Sequence, residues 1–119
     1  MRILIADDQP KVRFALRVAI ERQPGSKIVG EATDAADLIA QARTFAPDLL
    51  LLDWDLPGLL ASDLIRELRH ICPNLRVIVL SEKSELAPTA LASGANAFVS
   101  KAEPPEHLLS AIGKCWLTS

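Results

Sequence analysis

Short apolar runs alternate with longer amphipathic stretches along the whole chain. Five runs are strand candidates, at residues 3–6, 28–32, 49–52, 77–80 and 97–99. The third and fourth runs are continuously apolar rather than alternating, which is typical of strands that helices cover on both faces of a parallel sheet. We therefore expect these two strands to be central.

The stretches between the runs have the spacing of amphipathic helices. The clearest one places five apolar residues on one helix face: Val12, Ala15, Leu16, Ala19 and Ile20. This first helix is expected to close at Pro24 and Gly25, which are common helix-ending residues. The second is expected to begin near Asp34 and to stop before Pro47, because the residue before a proline is disfavoured in helical geometry.

Three further helices are predicted in the second half of the chain. The third starts from Ser62 as its N-cap residue and ends before Pro73. The fourth begins around Pro88 and ends at Gly94, since proline is tolerated only in the first turn of a helix. The fifth follows the proline pair at residues 104–105, and its apolar residues are expected to face inward: Leu108, Leu109, Ile112 and Trp116.

Five strands that alternate with five helices predict an α/β fold with a parallel sheet and right-handed crossovers. The chain has 119 residues and a mass of 12.9 kDa, which fits a single domain over residues 1–119. Hydrophobic residues make up 50% of the sequence, so the chain can bury enough apolar surface to fold.

Composition and charge argue against several classes of partner. The 15 acidic and 13 basic residues are spread along the chain and leave a formal charge of -2, so no basic stripe is available for nucleic acid. No apolar run is long enough to cross a membrane, and the N-terminus lacks a signal-peptide pattern. We expect a soluble, cytoplasmic domain that binds neither nucleic acid nor membrane.

Chemically active side chains follow the predicted strands. Because the carboxyl ends of parallel strands form the functional crevice of such sheets, these residues should share one edge: Asp7, Asp8, Asp53, Ser81 and Lys101. Taken singly, each could be a helix cap, a turn residue or a solvated strand end. Together, three carboxylates repel one another unless a cation or Lys101 offsets their charge. An all-oxygen site with open positions suits Mg²⁺.

In sequence order and spacing the chain resembles the response-regulator receiver family, from Met1 to about Trp116. The matching segments are RILIADDQPKVR, IVGEATDAADLIAQARTFAPDLLLLDWDLPG, RVIVLSEKSE and ALASGANAFVSK. The resemblance implies a flavodoxin-like (βα)5 three-layer sandwich with the strand order 2-1-3-4-5. The pattern is nearest to receivers that precede a helix-turn-helix output domain, which implies that the output is transcription regulation by a DNA-binding domain absent from this chain.

The resemblance also implies roles for individual residues. Asp53 would be the phosphoacceptor, phosphorylated by a sensor histidine kinase or a phosphotransfer protein. Mg²⁺ would be held by Asp8 and Asp53 directly, by the backbone carbonyl of Asp55, and by Asp7 through water. Ser81 and Lys101 would sense the phosphoryl group. A homodimer is a further assembly that the resemblance allows, and steady enzymatic turnover is not expected.

Two residues bear on switching rather than on phosphoryl acceptance. Phe98 matches the aromatic residue whose rotamer follows the movement of the switch hydroxyl, although a Phe that only packs fits the sequence equally well. Glu82 stands directly after Ser81, where a small or apolar residue is more usual. We predict that its carboxylate gates access to the site by repelling an anionic donor, although a Glu82 that points to solvent and is neutralised by Lys83 fits the sequence equally well.

Three alternative functions remain open. A phosphatase of the haloacid-dehalogenase type would use Asp53 as nucleophile and Asp55 as general acid, but that family places its motif after an early strand and adds a cap region. A flavin-binding module would bind phosphate at the first strand–helix turn, where Asp7 and Asp8 would repel it. A receiver-like scaffold that acts without phosphorylation is the third alternative.

Overall fold

The computed structural model describes residues 1–117 and the side chains through residue 115. Strands and helices alternate over this part of the chain, with a short 3₁₀ turn (Ser84–Leu86) before the fourth helix. In chain order the elements are β1 (Arg2–Ala6), α1 (Pro10–Glu21), β2 (Lys27–Ala32), α2 (Ala35–Phe45), β3 (Leu49–Asp53), α3 (Ala61–Ile71), β4 (Arg76–Ser81), α4 (Ala87–Ala92), β5 (Ala97–Ser100) and α5 (Pro105–Leu117).

The five strands form one parallel sheet in the order β2-β1-β3-β4-β5, which confirms the predicted fold and strand order. β3 lies in the middle, and β4 is also an interior strand, as their continuous apolar sequences predict. Parallel pairing brings the carboxyl ends of neighbouring strands to one edge of the sheet. Ala6 pairs with Leu52, and Ser81 pairs with Ser100.

Both faces of the sheet are covered, and alternate residues of β3 serve the two cores. Leu50 and Leu52 pack in the core beneath α2, α3 and α4. Leu49 and Leu51 pack in the core beneath α1 and α5. All four leucines are 0% exposed, so every position of this strand before Asp53 requires an apolar side chain. This double burial explains why the run does not alternate.

The second helix has the boundaries that its capping residues predict. The Asp34 carboxylate accepts a hydrogen bond from the amide of Asp37 at 2.8 Å, which identifies Asp34 as the N-cap residue. The helix ends at Phe45, before Pro47. Ala46 follows in the left-handed region at φ 45°, where the chain turns toward β3.

Two predicted helix boundaries are wrong. The first helix ends at Glu21, with Arg22 as its C-cap, so Pro24 and Gly25 belong to the turn before β2. The third helix begins at Ala61 with Leu60 as its N-cap, and no side chain caps it. Ser62 therefore lies in the first turn, because burial of the apolar face of α3 from Ala61 onward determines where this helix starts.

The remaining helices agree with the predictions where they are described. Pro88 lies in the first turn of α4, and Gly94 follows the helix with φ 106°, a backbone conformation that favours glycine. Leu108 and Ile112 of α5 are buried. The predicted inward packing of Trp116 lies outside the described side chains. Among the described helices, none has the length and apolarity that a bilayer crossing requires.

Candidate functional site

Two buried carboxylates and a lysine meet at the carboxyl edge of the sheet. Asp7 directly follows β1 and is 0% exposed, and Asp53 is the last residue of β3 and is 4% exposed. The Lys101 ammonium, directly after β5, lies 2.8 Å from Asp7 Oδ2 and 3.2 Å from Asp53 Oδ1. One cation thus contacts two buried anions.

Backbone amides supply further hydrogen bonds to these carboxylates. Asp7 Oδ1 accepts from the amide of Gln9 at 2.9 Å, and Asp53 Oδ1 accepts from the amide of Asp55 at 3.1 Å. Gln9 is the N-cap residue of α1, but its own side chain makes no capping bond. Both oxygens of Asp7 are therefore occupied by protein donors, since Oδ2 accepts from Lys101.

A third carboxylate, Asp8, lies beside this pair and is exposed. Asp7, Asp8 and Asp53 each offer one oxygen atom, and these three atoms lie within 4.8 Å of one another. Oxygen-only donors with an open side facing solvent match the preference of Mg²⁺. The residues present therefore fit a divalent cation. It would offset the negative charge of the three carboxylates that the single positive charge of Lys101 does not balance.

The electrostatic environment perturbs both charged partners of the Lys101–Asp53 pair. Burial raises the pKa of Asp53, and the charge of Asp7 adds to this, while the Asp55 amide and Lys101 act in the opposite direction. For Lys101, burial alone would lower the pKa, but the hydrogen bond to Asp7 and the charge of Asp53 together raise it. Lys101 therefore remains an ammonium at neutral pH.

Ser81 lies at the end of β4 beside the carboxylates. Its side chain is directed by a local bond, because Ser81 Oγ accepts from the amide of Lys83 at 3.1 Å. The residue is only 2% exposed. Its backbone carbonyl accepts from the amide of Lys101 at 2.8 Å, which ties the two strand ends together.

The site opens into a small cleft of about 220 Å³, lined by Asp8, Gln9, Asp53, Asp55, Ser81, Glu82, Lys83 and Lys101. A larger cleft of about 590 Å³ lies along β5 and α5, but the acidic and basic side chains that line it are exposed, whereas Asp7 and Asp53 are buried. Chemistry rather than volume therefore identifies the site. Asp55, Glu82 and Lys83 are exposed, so they form its rim.

The structure brings together all but one of the residues that the sequence singled out. Phe98 is the exception: it is half-buried and packs against the core beneath α2, α3 and α4. Two contributors were missed. Gln9 acts through its backbone amide, which no side-chain pattern reveals, and Arg13 reaches back from α1 to the carbonyl oxygen of Asp7 at 2.7 Å. The only sequence signal for Arg13 was a cation on the first turn of the helix that follows Asp7 and Asp8.

Comparisons with known proteins agree with this geometry. The family model of the response regulator receiver domain matches residues 3–113. The transcriptional activator protein ExaE of Pseudomonas putida is 36% identical over 94% of this chain and 53% of that protein. The chain thus spans about half the length of this curated relative.

Solved structures give the same result. A LuxR-family two-component response regulator from Aurantimonas sp. is 34% identical, with a TM-score of 0.87 over 95% of this chain and 82% of that one. The isolated receiver domain of RcsB from Salmonella enterica, with the phosphomimetic BeF₃⁻, is 28% identical, with a TM-score of 0.88 over 95% and 86% of the two chains. The chain therefore belongs to the response regulator receiver domain family of two-component systems and is similar to the receivers of LuxR-family transcriptional regulators.

Proposed function

We propose that Asp53 accepts a phosphoryl group from a sensor histidine kinase or a phosphotransfer protein, and that the aspartyl phosphate switches an output. The contact of Lys101 Nζ with both Asp7 and Asp53 carries this proposal. An ammonium at this place holds the Asp53 carboxylate in position and faces the charge that arrives with the donor. Asp53 also lines the cleft through which a donor would approach.

In the transfer step, an Asp53 carboxylate oxygen attacks the phosphorus atom of the donor. A new O–P bond forms, the P–N bond to the donor histidine breaks, and the imidazole nitrogen keeps the electron pair. With acetyl phosphate the bond that breaks is P–O, and acetate leaves. Lys101 stabilises negative charge on the transferred group throughout, because its raised pKa keeps it protonated.

For Mg²⁺ we propose Asp8 and Asp53 as direct ligands, the backbone carbonyl of Asp55 as another, and Asp7 as a partner through water. Asp8 supports this division because it is exposed and makes no hydrogen bond or ion pair within the described part of the chain. Asp7 already uses both oxygens for protein donors, which favours an indirect contact. Mg²⁺, when bound, neutralises charge on the transferring phosphoryl group.

The response to phosphorylation is proposed to pass through Ser81 and Phe98. Ser81 would exchange its bond from the Lys83 amide for one to the phosphoryl oxygens, and Phe98 would change rotamer with it. Glu82, at the rim of the cleft, is proposed to gate access by repelling anionic donors. Movement of this kind is a population shift between two states rather than a rebuilt fold.

We further propose that residues 1–119 act as one cytoplasmic receiver domain that is not a turnover enzyme and can form a homodimer. The similarity to a transcriptional activator and to a LuxR-family response regulator supports transcription regulation as the output, exerted by a DNA-binding domain other than this receiver.

Intact mass measurement after incubation with acetyl phosphate and Mg²⁺ tests the proposal. The parent protein should gain one phosphoryl group, and Asp53→Asn should gain none. Asp55→Asn is the matched control, since it keeps the backbone carbonyl and should still be labelled. No labelling of the parent would favour a scaffold that acts without phosphorylation. Equal labelling of Asp53→Asn would overturn Asp53 as acceptor, and steady hydrolysis of phosphate esters would favour the phosphatase.

A further inference from the structure

Arg13 links the acidic turn after β1 to the neighbouring strand. Its Nη1 atom donates a hydrogen bond to the backbone carbonyl oxygen of Asp7 at 2.7 Å. Its Nε atom lies 3.4 Å from Glu31 Oε1. The Arg13 side chain is only 19% exposed, so it bridges α1, the acidic turn and β2 in a largely enclosed position.

Glu31 is itself held by a second arginine. Arg17, one turn further along α1, lies with its Nη1 atom 3.0 Å from Glu31 Oε2. The next residue of β2, Ala32, accepts a hydrogen bond from the amide of Asp7 at 3.0 Å through its carbonyl oxygen. The end of β2 therefore contacts Asp7 by two routes, one through the backbone and one through Glu31 and Arg13.

The position of the Asp7 carbonyl has consequences for Asp8. The Asp7 carbonyl and the Asp8 amide belong to one planar peptide unit, so fixing the carbonyl fixes the plane from which the Asp8 side chain departs. Within the described part of the chain, the Asp8 carboxylate has no hydrogen bond or ion pair that could orient it. Its direction toward Asp53 is therefore determined by the backbone of the turn.

We infer that Arg13 is a positioning residue for the Asp7–Asp8 metal-binding pair, anchored on β2 by Glu31. The inference rests on the proposed function, since it concerns the Mg²⁺ site of that proposal. The guanidinium group is suited to this place because its rigid, planar fork donates to a carbonyl and a carboxylate at once. A lysine ammonium keeps the charge but does not offer that fixed geometry.

Mg²⁺ titration of Arg13→Lys and Arg17→Lys, followed by calorimetry, tests the inference. Both variants keep the charge, the helix and the neighbourhood of Glu31, but of the two arginines only Arg13 contacts Asp7. We expect Arg13→Lys to bind Mg²⁺ about tenfold more weakly than the parent, as is usual when a residue that orients metal ligands is replaced. Arg17→Lys should stay within about twofold of the parent, because it acts on Glu31 alone.

A second readout needs no metal. In the presence of EDTA, exchange of the Asp7 and Gln9 amide hydrogens, which are bonded to the Ala32 carbonyl and to Asp7 Oδ1, should be faster in Arg13→Lys than in Arg17→Lys. Glu31→Gln leaves both arginines in place and provides an independent variant if Arg13→Lys folds poorly. It should weaken Mg²⁺ binding by about threefold, less than Arg13→Lys.

The outcomes separate this inference from the proposed function. If the parent binds Mg²⁺ and Arg13→Lys binds it as tightly as Arg17→Lys, the positioning role is overturned. Equal amide exchange in the two variants would overturn it as well. If the parent does not bind Mg²⁺ at all, the proposed metal site fails, while faster exchange in Arg13→Lys would still support the link between Arg13 and the acidic turn.

Discussion

The two ends of the parallel sheet differ in how their charged side chains are placed and partnered. At the amino end, Asp48 Oδ2 accepts from the Arg2 amide at 2.7 Å, and Arg2 Nη2 donates to the Phe45 carbonyl at 2.6 Å. Arg76 Nε donates to the Cys115 carbonyl at 2.7 Å. Arg2 and Asp48 are exposed, so water shares in their solvation. These side chains thus bind one free amide of β1 and the carbonyls of Phe45 in α2 and Cys115 in α5.

The carboxyl end instead concentrates unbalanced charge. Asp7 and Asp53 are buried beside a single ammonium, that of Lys101, and Asp8 adds a third carboxylate nearby. Such a cluster costs free energy unless a cation joins it. The comparison shows that stability alone does not require this arrangement, because the charged side chains at the other end of the same sheet bind backbone groups, and Arg2 and Asp48 are exposed to water. The carboxyl end therefore marks the functional edge.

The largest effect should come from removing the cation of the carboxyl end. Lys101→Met leaves two buried carboxylates uncompensated, and we expect the free energy of unfolding to fall by about 3 kcal/mol at pH 7 without Mg²⁺. Arg76→Met, at the amino end, should cost about 1 kcal/mol, because it removes a hydrogen bond to a carbonyl. Urea denaturation in EDTA measures both. If both variants lost the same free energy of unfolding, the two ends of the sheet would not differ in how strongly stability depends on their cations.

Metal binding should depend on one end only. Asp8→Ala is expected to weaken Mg²⁺ binding by about tenfold or more, because it removes a charged ligand. Asp55→Ala should have a smaller effect, since its proposed ligand is the backbone carbonyl. Asp48→Ala, at the amino end, should change nothing in a Mg²⁺ titration. If Asp55→Ala lost more Mg²⁺ affinity than Asp8→Ala, Asp8 would not be the main side-chain ligand of the metal.

Neutralising one aspartate at each end should shift stability in opposite directions. Without metal at pH 7, Asp53→Asn should raise the free energy of unfolding, because burial raises the pKa of Asp53 and the ionised form is penalised in the folded state. Asp48→Asn should lower it by about 1 kcal/mol, through a weaker bond to the Arg2 amide. Urea denaturation in EDTA separates the two signs.

The pH dependence gives a further check on Asp53. Its folded pKa lies above the ordinary value of 3.8, so the folded protein binds the proton more tightly than the unfolded chain. The stabilising effect of Asp53→Asn should be complete above the folded pKa and disappear as the pH falls through it toward 3.8. If the stabilising effect of Asp53→Asn grew as the pH fell, the pKa of Asp53 in the folded protein would not be raised.

The smallest effect should come from the rim of the carboxyl end. Glu82→Ala is expected to speed phosphorylation by acetyl phosphate about two- to threefold at low salt, because it removes a like charge from the approach of an anionic donor. The gain should shrink as salt is added, since Glu82 is exposed and its charge is screened. Lys83→Ala should slow the reaction. A rate for Glu82→Ala at or below that of the parent would reject the gate.

Local patterns were sufficient for most of the fold. The continuous apolar run before Asp53 predicts an interior strand, because both faces of β3 are buried. Asp34 predicts the start of α2, because a cap depends on residues close in sequence. The start of α3 was predicted wrongly from Ser62, since burial against the sheet outweighs the contribution of a cap.

By itself the sequence determined the alternation of elements, the two interior strands and the edge on which Asp7, Asp8, Asp53, Ser81 and Lys101 meet. These follow from periodicity and strand polarity, which are local properties. Only the tertiary structure decided that Lys101 contacts both Asp7 and Asp53, that Asp7 is enclosed while Asp8 is exposed, and that Arg13 reaches the Asp7 carbonyl. Those contacts join residues on different elements, and their distances depend on how the helices pack against the sheet.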